Sequence, residues 1–123
     1  MTAAEVGTEF ARRLAAKDFD GDAELLDPQL DFRALTPNRQ WEAQDPRGFV
    51  DGVLREWFED SDDIRSLDAV EHGEVADRSR VAYRLTVTNP EGRFLVEQQA
   101  YYTVSDGRID WLRVLCSGYR PWS

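Results

Sequence analysis

The stretch RVAYRLTVTNPEGRFLVEQQAYYTVSDGRIDWLRVLCS, Arg80–Ser117, decides the architecture. It divides into long runs Arg80–Thr88, Arg93–Val104 and Arg108–Ser117, joined by Asn89-Pro90-Glu91-Gly92 and Ser105-Asp106-Gly107. Both connectors have hairpin chemistry, because Asn-Pro presets a turn-like φ and Asp-Gly supplies a position that tolerates positive φ. Val81, Tyr83, Leu85 and Val87 alternate with Ala82, Arg84 and Thr86, the period of a strand whose sheet is covered on one side. Helical patterns fill the N-terminal half. Helices followed by a long meander predict an α+β cone, in which the curved sheet wraps a helix and leaves a pocket at the open end.

Working outward from the meander, Thr2-Ala3-Ala4-Glu5 has capping-box spacing and Val6, Phe10 and Leu14 recur every four residues, predicting a first helix to about Lys17. A short second helix is expected after Asp20 as N-cap, stopping at Asp27-Pro28 because proline disfavours helix in the residue before it. Leu30–Leu35 reads as a strand, Thr36-Pro37-Asn38 as a turn, and Gln40–Glu42 as a brief return strand. Asp45-Pro46 starts a third helix, with aspartate as cap and proline at the first helical position. Its stripe of Phe49, Val50, Val53, Leu54, Trp57 and Phe58 requires burial. The acidic run Glu59-Asp60-Ser61-Asp62-Asp63 ends that helix, and Ile64–Ala76 is the strand that enters the meander. With no repeat or linker, residues 1–123 are expected to form one domain.

Composition narrows the partners. Fifteen basic and twenty-four acidic residues leave a net charge of −9, which opposes phosphate backbones and anionic lipid and disfavours strongly anionic ligands. Neither nucleic acid nor a membrane is an expected partner. The one cysteine, Cys116, cannot pair within the chain, which suits a reducing compartment, and Met1–Ala16 carries Glu5, Glu9, Arg12 and Arg13 where a signal peptide would be apolar. A cytoplasmic location is the expectation.

Few residues have the spacing of catalytic or metal-binding motifs. His72 is the single histidine and sits among Glu71, Gly73 and Glu74, where a surface strand end is the simpler reading than a triad member. One histidine and one cysteine are too few for a structural zinc site. Asp18, Asp20 and Asp22 begin a calcium-loop pattern, but Ala23 and Gln29 stand where glycine and glutamate are needed, so a helix-capping connector is favoured. The glycines are scattered and form no phosphate cradle. No metal and no cofactor is expected.

Aromatic residues carry more information. Trp41, Trp57, Phe58, Tyr83, Phe94 and Tyr102 crowd the expected strands and third helix, where they can fill a core or line a cavity. On the second meander strand Phe94, Val96, Gln98, Ala100, Tyr102 and Val104 share a face, and on the last strand Leu112, Val114 and Cys116 oppose Ile109, Trp111, Arg113 and Leu115. Parity therefore places Tyr83, Gln98, Tyr102 and Cys116 in the cone with Trp41 and Trp57, an apolar box with a few neutral donors and acceptors. The opposite face carries Leu95, Tyr101, Trp111 and Leu115, a patch that predicts a homodimer through the outer sheet.

The order helix, helix, strand, helix, meander, with Leu30-Asp31-Phe32-Arg33 and the turn Asp106-Gly107-Arg108-Ile109, resembles the nuclear transport factor 2-like superfamily along essentially the whole chain. The resemblance implies a cystatin-like α+β cone. It also brings ketosteroid isomerases, SnoaL-type polyketide cyclases and limonene epoxide hydrolases into view. On an ungapped reading, the isomerase tyrosine, general base and oxyanion-hole acid fall at Leu14, Ala34 and Ala100, so all three groups are missing. The Asp-Arg-Asp set of the epoxide hydrolases falls near Gln98, Ala100 and Val114 and is missing too. Two readings stay open. One is a pocket for an apolar, ring-bearing metabolite, with a cyclase- or isomerase-like reaction in which Tyr83 or Tyr102 donates to a carbonyl, Gln98 orients the substrate and Trp41 forms the lip. The other is a non-catalytic binding or assembly module.

Overall fold

Residues 1–122 are described by a computed structural model. Helices α1 (Ala3–Ala15) and α2 (Phe19–Glu24) precede strands β1 (Leu26–Thr36) and β2 (Arg39–Ala43). A third helical segment runs as α3 (Pro46–Phe49), a π-helical turn (Val50–Leu54) and α4 (Arg55–Trp57). Strands β3 (Asp63–Val75), β4 (Arg78–Asn89), β5 (Gly92–Ser105) and β6 (Arg108–Cys116) follow, with a short β7 (Arg120–Pro121). The sheet order is β2-β1-β6-β5-β4-β3, with β7 against the start of β5. β1 and β6 are parallel, and the other pairs are antiparallel.

Local chemistry explains the element ends. Thr2 accepts from the Glu5 N–H while Glu5 accepts from the Thr2 N–H, closing the capping box on α1. Asp45 caps α3 through the Gly48 N–H at 2.6 Å, with Pro46 in the first turn. In the β5–β6 turn Asp106 and Gly107 take φ of 53° and 79°, the paired positive values that a tight hairpin requires. The apolar stripe of α1 and Phe49 of α3 meet Phe32 of β1 inside the sheet's curve, with Phe32 and Phe49 ring centres 4.6 Å apart. The protein is an α+β cone.

Four sequence expectations are corrected here. First, α1 stops at Ala15, with Lys17 already left-handed at φ 56°. Second, the cap of α2 is Asp18, which accepts from the Gly21 N–H at 2.9 Å, rather than Asp20. Third, β1 begins at Leu26 and runs through Pro28, because the β1–β6 register shifts between Leu26 and Asp31. A proline in that interval withholds no ladder hydrogen bond. Fourth, Ile109 faces the core and not the outer side beside Trp111. The β5–β6 register slips between Thr103 and Val104, so Thr103 pairs with Trp111 and Val104 with Ile109. That bulge reverses the parity of the strand's first residues, and Ile109 is buried.

The third helix shows why its stripe is spaced as it is. Phe49, Val50, Val53, Leu54, Trp57 and Phe58 recur at four-residue intervals, which in a 3.6-residue helix drift about 40° per turn away from the core. The wider π turn at Val50–Leu54 takes up part of that drift and carries Trp57 to the open end of the cone.

Candidate functional site

Three adjacent strands place a polar row across the cone's interior. Tyr83 of β4 lies opposite Gln98 of β5, and Gln98 opposite Cys116 of β6. The Tyr83 hydroxyl donates to Gln98 Oε1 at 2.5 Å, and Gln98 Nε2 donates to Cys116 Sγ at 3.3 Å. Sulfur is a weak acceptor, so the Gln98 amide is held in place but incompletely paired. Burial pushes the Tyr83 phenol well up. It also pushes the Cys116 thiol up, against the opposing pull of its bonds from Gln98 and the Gly118 N–H. The row is neutral and hydrogen-bonded, and Cys116 is a packing thiol without thiolate character.

Gln98 and Cys116 of this row, with Val96, form the floor of a cavity of about 500 Å³ with aromatic walls. Trp41 and Trp57 meet edge to face at 5.8 Å, and Tyr119 lies 6.2 Å from Phe58 and 5.7 Å from Phe94. The Trp41 indole donates to Thr36 Oγ1 at 2.9 Å, and the Tyr119 hydroxyl donates to the Trp57 carbonyl at 2.8 Å. The Trp57 Nε1–H is buried with no partner among the described residues. Tyr119 reaches the site because Gly118 turns the chain at φ 71°, in the left-handed region, beneath the Pro37 ring, where an added Cβ would lie 3.1 Å from the proline carbons.

Acidic residues stand round the mouth: Glu56, Glu59, Asp62 and Glu91. Asp62 is only 7% exposed, and its carboxylate accepts from the Glu59 N–H and the Asn89 side-chain amide, each at 2.9 Å. Burial, and then the Asp62 charge, push the Tyr119 phenol up.

Of the residues expected to build the site, Trp41, Trp57, Gln98 and Cys116 line this one cavity, and Tyr83 supports its floor through Gln98. Tyr102 does not join them. It shares their face but lies four residues further along β5, roughly 13 Å at strand rise, and its hydroxyl donates to the Ala3 carbonyl at 2.7 Å beside α1. A pocket spanning Trp41 and Tyr102 is therefore not formed. Leu14, Ala34 and Ala100 are buried and apolar, with no ionisable group at any of the three positions.

Sequence reasoning missed Asp22, Asp62 and Tyr119 as site or interior groups. Asp22 is fully buried with both carboxyl oxygens unpartnered among the described residues, and burial pushes its pKa up to about 9 against the lowering pull of Arg13. Its signal was the spacing from Phe19 to Asp22, which puts both on one helical face. Asp18 caps and Asp20 pairs with Arg47 and Arg55, so the three aspartates divide their roles and do not converge on an ion.

On the opposite face, Leu115 is exposed and Leu95, Tyr101 and Trp111 are half-buried. Trp111 is not bare: the guanidinium carbons of Arg78 and Arg113 lie 4.2 and 4.4 Å from its ring centre.

No protein-family model matches the chain, and no curated protein matches it. Solved structures do. A candidate isomerase from Bacillus subtilis superposes with a TM-score of 0.72 at 18% identity, covering 95% of this chain and 90% of that one. A candidate polyketide cyclase from Pseudomonas putida KT2440 gives 0.70 at 14% identity, with 93% and 90% coverage. A candidate SnoaL-like polyketide cyclase from Mesorhizobium loti gives 0.63 at 21% identity, with 93% and 98% coverage. The chain has the nuclear transport factor 2-like, SnoaL-like fold. Among the described residues, no helix is long and apolar enough to cross a membrane.

Proposed function

We propose that this protein binds a small ring-bearing molecule in the cavity between Trp41, Trp57 and Tyr119, with Gln98 as the polar contact at its floor. The observation that supports this most is the incompletely paired Gln98 amide beneath an aromatic-walled space of about 500 Å³, the composition of a small-molecule site. A buried amide without full partners costs about 1–3 kcal/mol, which a ligand's acceptor would offset. One observation favours a catalytic form of the reading: burial keeps Asp22 protonated inside the cone, so a proton donor is present in the interior although Leu14, Ala34 and Ala100 supply none. Asp22 does not line the cavity, however, so binding is the primary proposal.

Titration of steroids, flavonoids and polyketide-like aromatics against tryptophan fluorescence tests the reading. At least one class should saturate the signal, and Gln98→Leu or Trp57→Ala should weaken it by about fivefold or more. Loss of affinity on Arg84→Ala, with no response to the other two variants, would move the ligand to the outer face. A cytoplasmic homodimer through Leu95, Tyr101, Trp111 and Leu115 belongs to the same proposal, supported by exposed Leu115 and the buried Cys116 thiol. Light scattering should give twice the chain mass, and Trp111→Arg should halve it.

A further inference from the structure

Some carboxylates of this protein are paired with a base. Along α2, α3 and the π turn, Asp20 and Asp51 are bridged by Arg47 and Arg55 at 3.3 to 3.8 Å. On the sheet, Arg113 meets Asp31 at 3.1 Å and Arg84 meets Glu97 at 3.4 Å. The cavity mouth gathers carboxylates that have no such pair around one space. Among the described residues, none of Glu56, Glu59, Asp62 and Glu91 takes part in an ion pair, and no lysine, arginine or histidine lines the cavity. Two bases contact lining residues without pairing with a mouth carboxylate. Arg39 lies over the Trp41 ring at 3.6 Å, and Lys17 Nζ donates to the Glu59 carbonyl oxygen at 2.6 Å.

Four like charges round one concave, partly desolvated space repel one another and focus a negative potential into it. Asp62 strengthens that field, since its carboxylate is nearly buried and is met by N–H dipoles without a counter-ion. The walls point the same way, because indole and phenol faces attract cations and Trp41 already holds a guanidinium on its ring. A chelated metal does not fit: among the described residues, no group of three or more acidic, histidine or cysteine side chains converges to hold one. What suits spread carboxylates and aromatic faces is a diffuse organic cation, which needs no fixed coordination sphere.

We propose that the ligand of this cavity is an amphipathic organic cation, its ring between Trp41, Trp57 and Tyr119 and its ammonium group at the mouth among Glu56, Glu59, Asp62 and Glu91. This rests on the binding reading above and names its ligand class. It replaces the neutral ring compound expected from the sequence with one bearing a positive nitrogen, and excludes carboxylate- or phosphate-bearing ligands.

The experiment compares 3-hydroxyphenyltrimethylammonium with its neutral isostere 3-tert-butylphenol, following the Trp57 indole and Gln98 side-chain amide signals by NMR. At low ionic strength the cation should bind at least about tenfold more tightly, and the preference should shrink towards parity near 0.5 M salt. Glu56→Gln with Glu59→Gln should lower affinity for the cation by about three- to tenfold and leave the isostere unchanged, whereas Glu74→Gln, away from the cavity, should alter neither. Equal binding of the two probes, or tighter binding of the isostere, overturns the charge assignment and leaves the cavity reading standing. If neither probe nor the panel above shifts Trp57 or Gln98, the cavity reading falls and this inference with it.

Discussion

The two ends of the cone's interior are built from the same strand faces and are finished differently. At the closed end, Tyr102 fills the space under α1, its hydroxyl bonded to the Ala3 carbonyl and packed against Gly7, where a Cβ would collide with it. At the open end, two same-face positions back along β5, Gln98 is bonded to Tyr83 and to a sulfur, and a cavity lies above it. One end uses its tyrosine to complete a helix–sheet contact. The other holds its polar groups short of full pairing. The difference teaches that residues of equal parity can complete a packed contact at one depth and line an open cavity at another, because the strand rise separates them by about 13 Å.

The most severe way to break the contrast is Gly7→Val. Glycine in a helix interior is ordinarily a cost, but here it makes room for Tyr102, and the substitution should lower stability by about 3 kcal/mol through overpacking and loss of the Tyr102 bond. Urea denaturation measures it. A neutral or stabilising result would mean that the closed end is not the packed one.

Asp22 sharpens the comparison next. The folded chain keeps its proton to about pH 9, while the unfolded chain releases it near the ordinary 3.8. The folded state therefore binds the extra proton between those values, and stability falls as pH rises, by about 1.4 kcal/mol per pH unit from this group. Asp22→Leu should flatten that slope, so that its gain over the parent grows with pH and exceeds about 2 kcal/mol at pH 8. An unchanged pH profile would show that the carboxyl is hydrated in solution.

The smallest effect separates the two ends directly. Tyr102→Phe should cost about 1 kcal/mol of stability and leave every cavity affinity as it was, in contrast to Gln98→Leu. A Tyr102→Phe variant with weakened ligand binding would rejoin the two ends into one site.

Much of the fold was legible because its signals are local. The Thr2–Glu5 box, the Asp45-Pro46 helix start and the Asp106-Gly107 turn each depend on residues within a few positions, and alternation along β4 reported which side chains point inward. The bulge before Ile109 was not legible, since nothing in the alternation marks a register slip that only a partner strand defines. Pro28 within β1 is the same case: it is tolerated because of how β6 lies beside it.

The sequence by itself determined the layer order, the alternation of faces along β4 and most of β5, the apolar side chains at Leu14, Ala34 and Ala100, and the net acidic balance. The tertiary structure alone decided that Tyr102 lies apart from Gln98, that Asp22 is buried, that Tyr119 folds back to wall the cavity, and that four carboxylates line one cavity with no ion pair among the described residues. The reason is physical. Periodicity and capping are set by neighbours along the chain, whereas depth, desolvation and charge pairing depend on segments tens of residues away, and burial is what makes those distant neighbours matter.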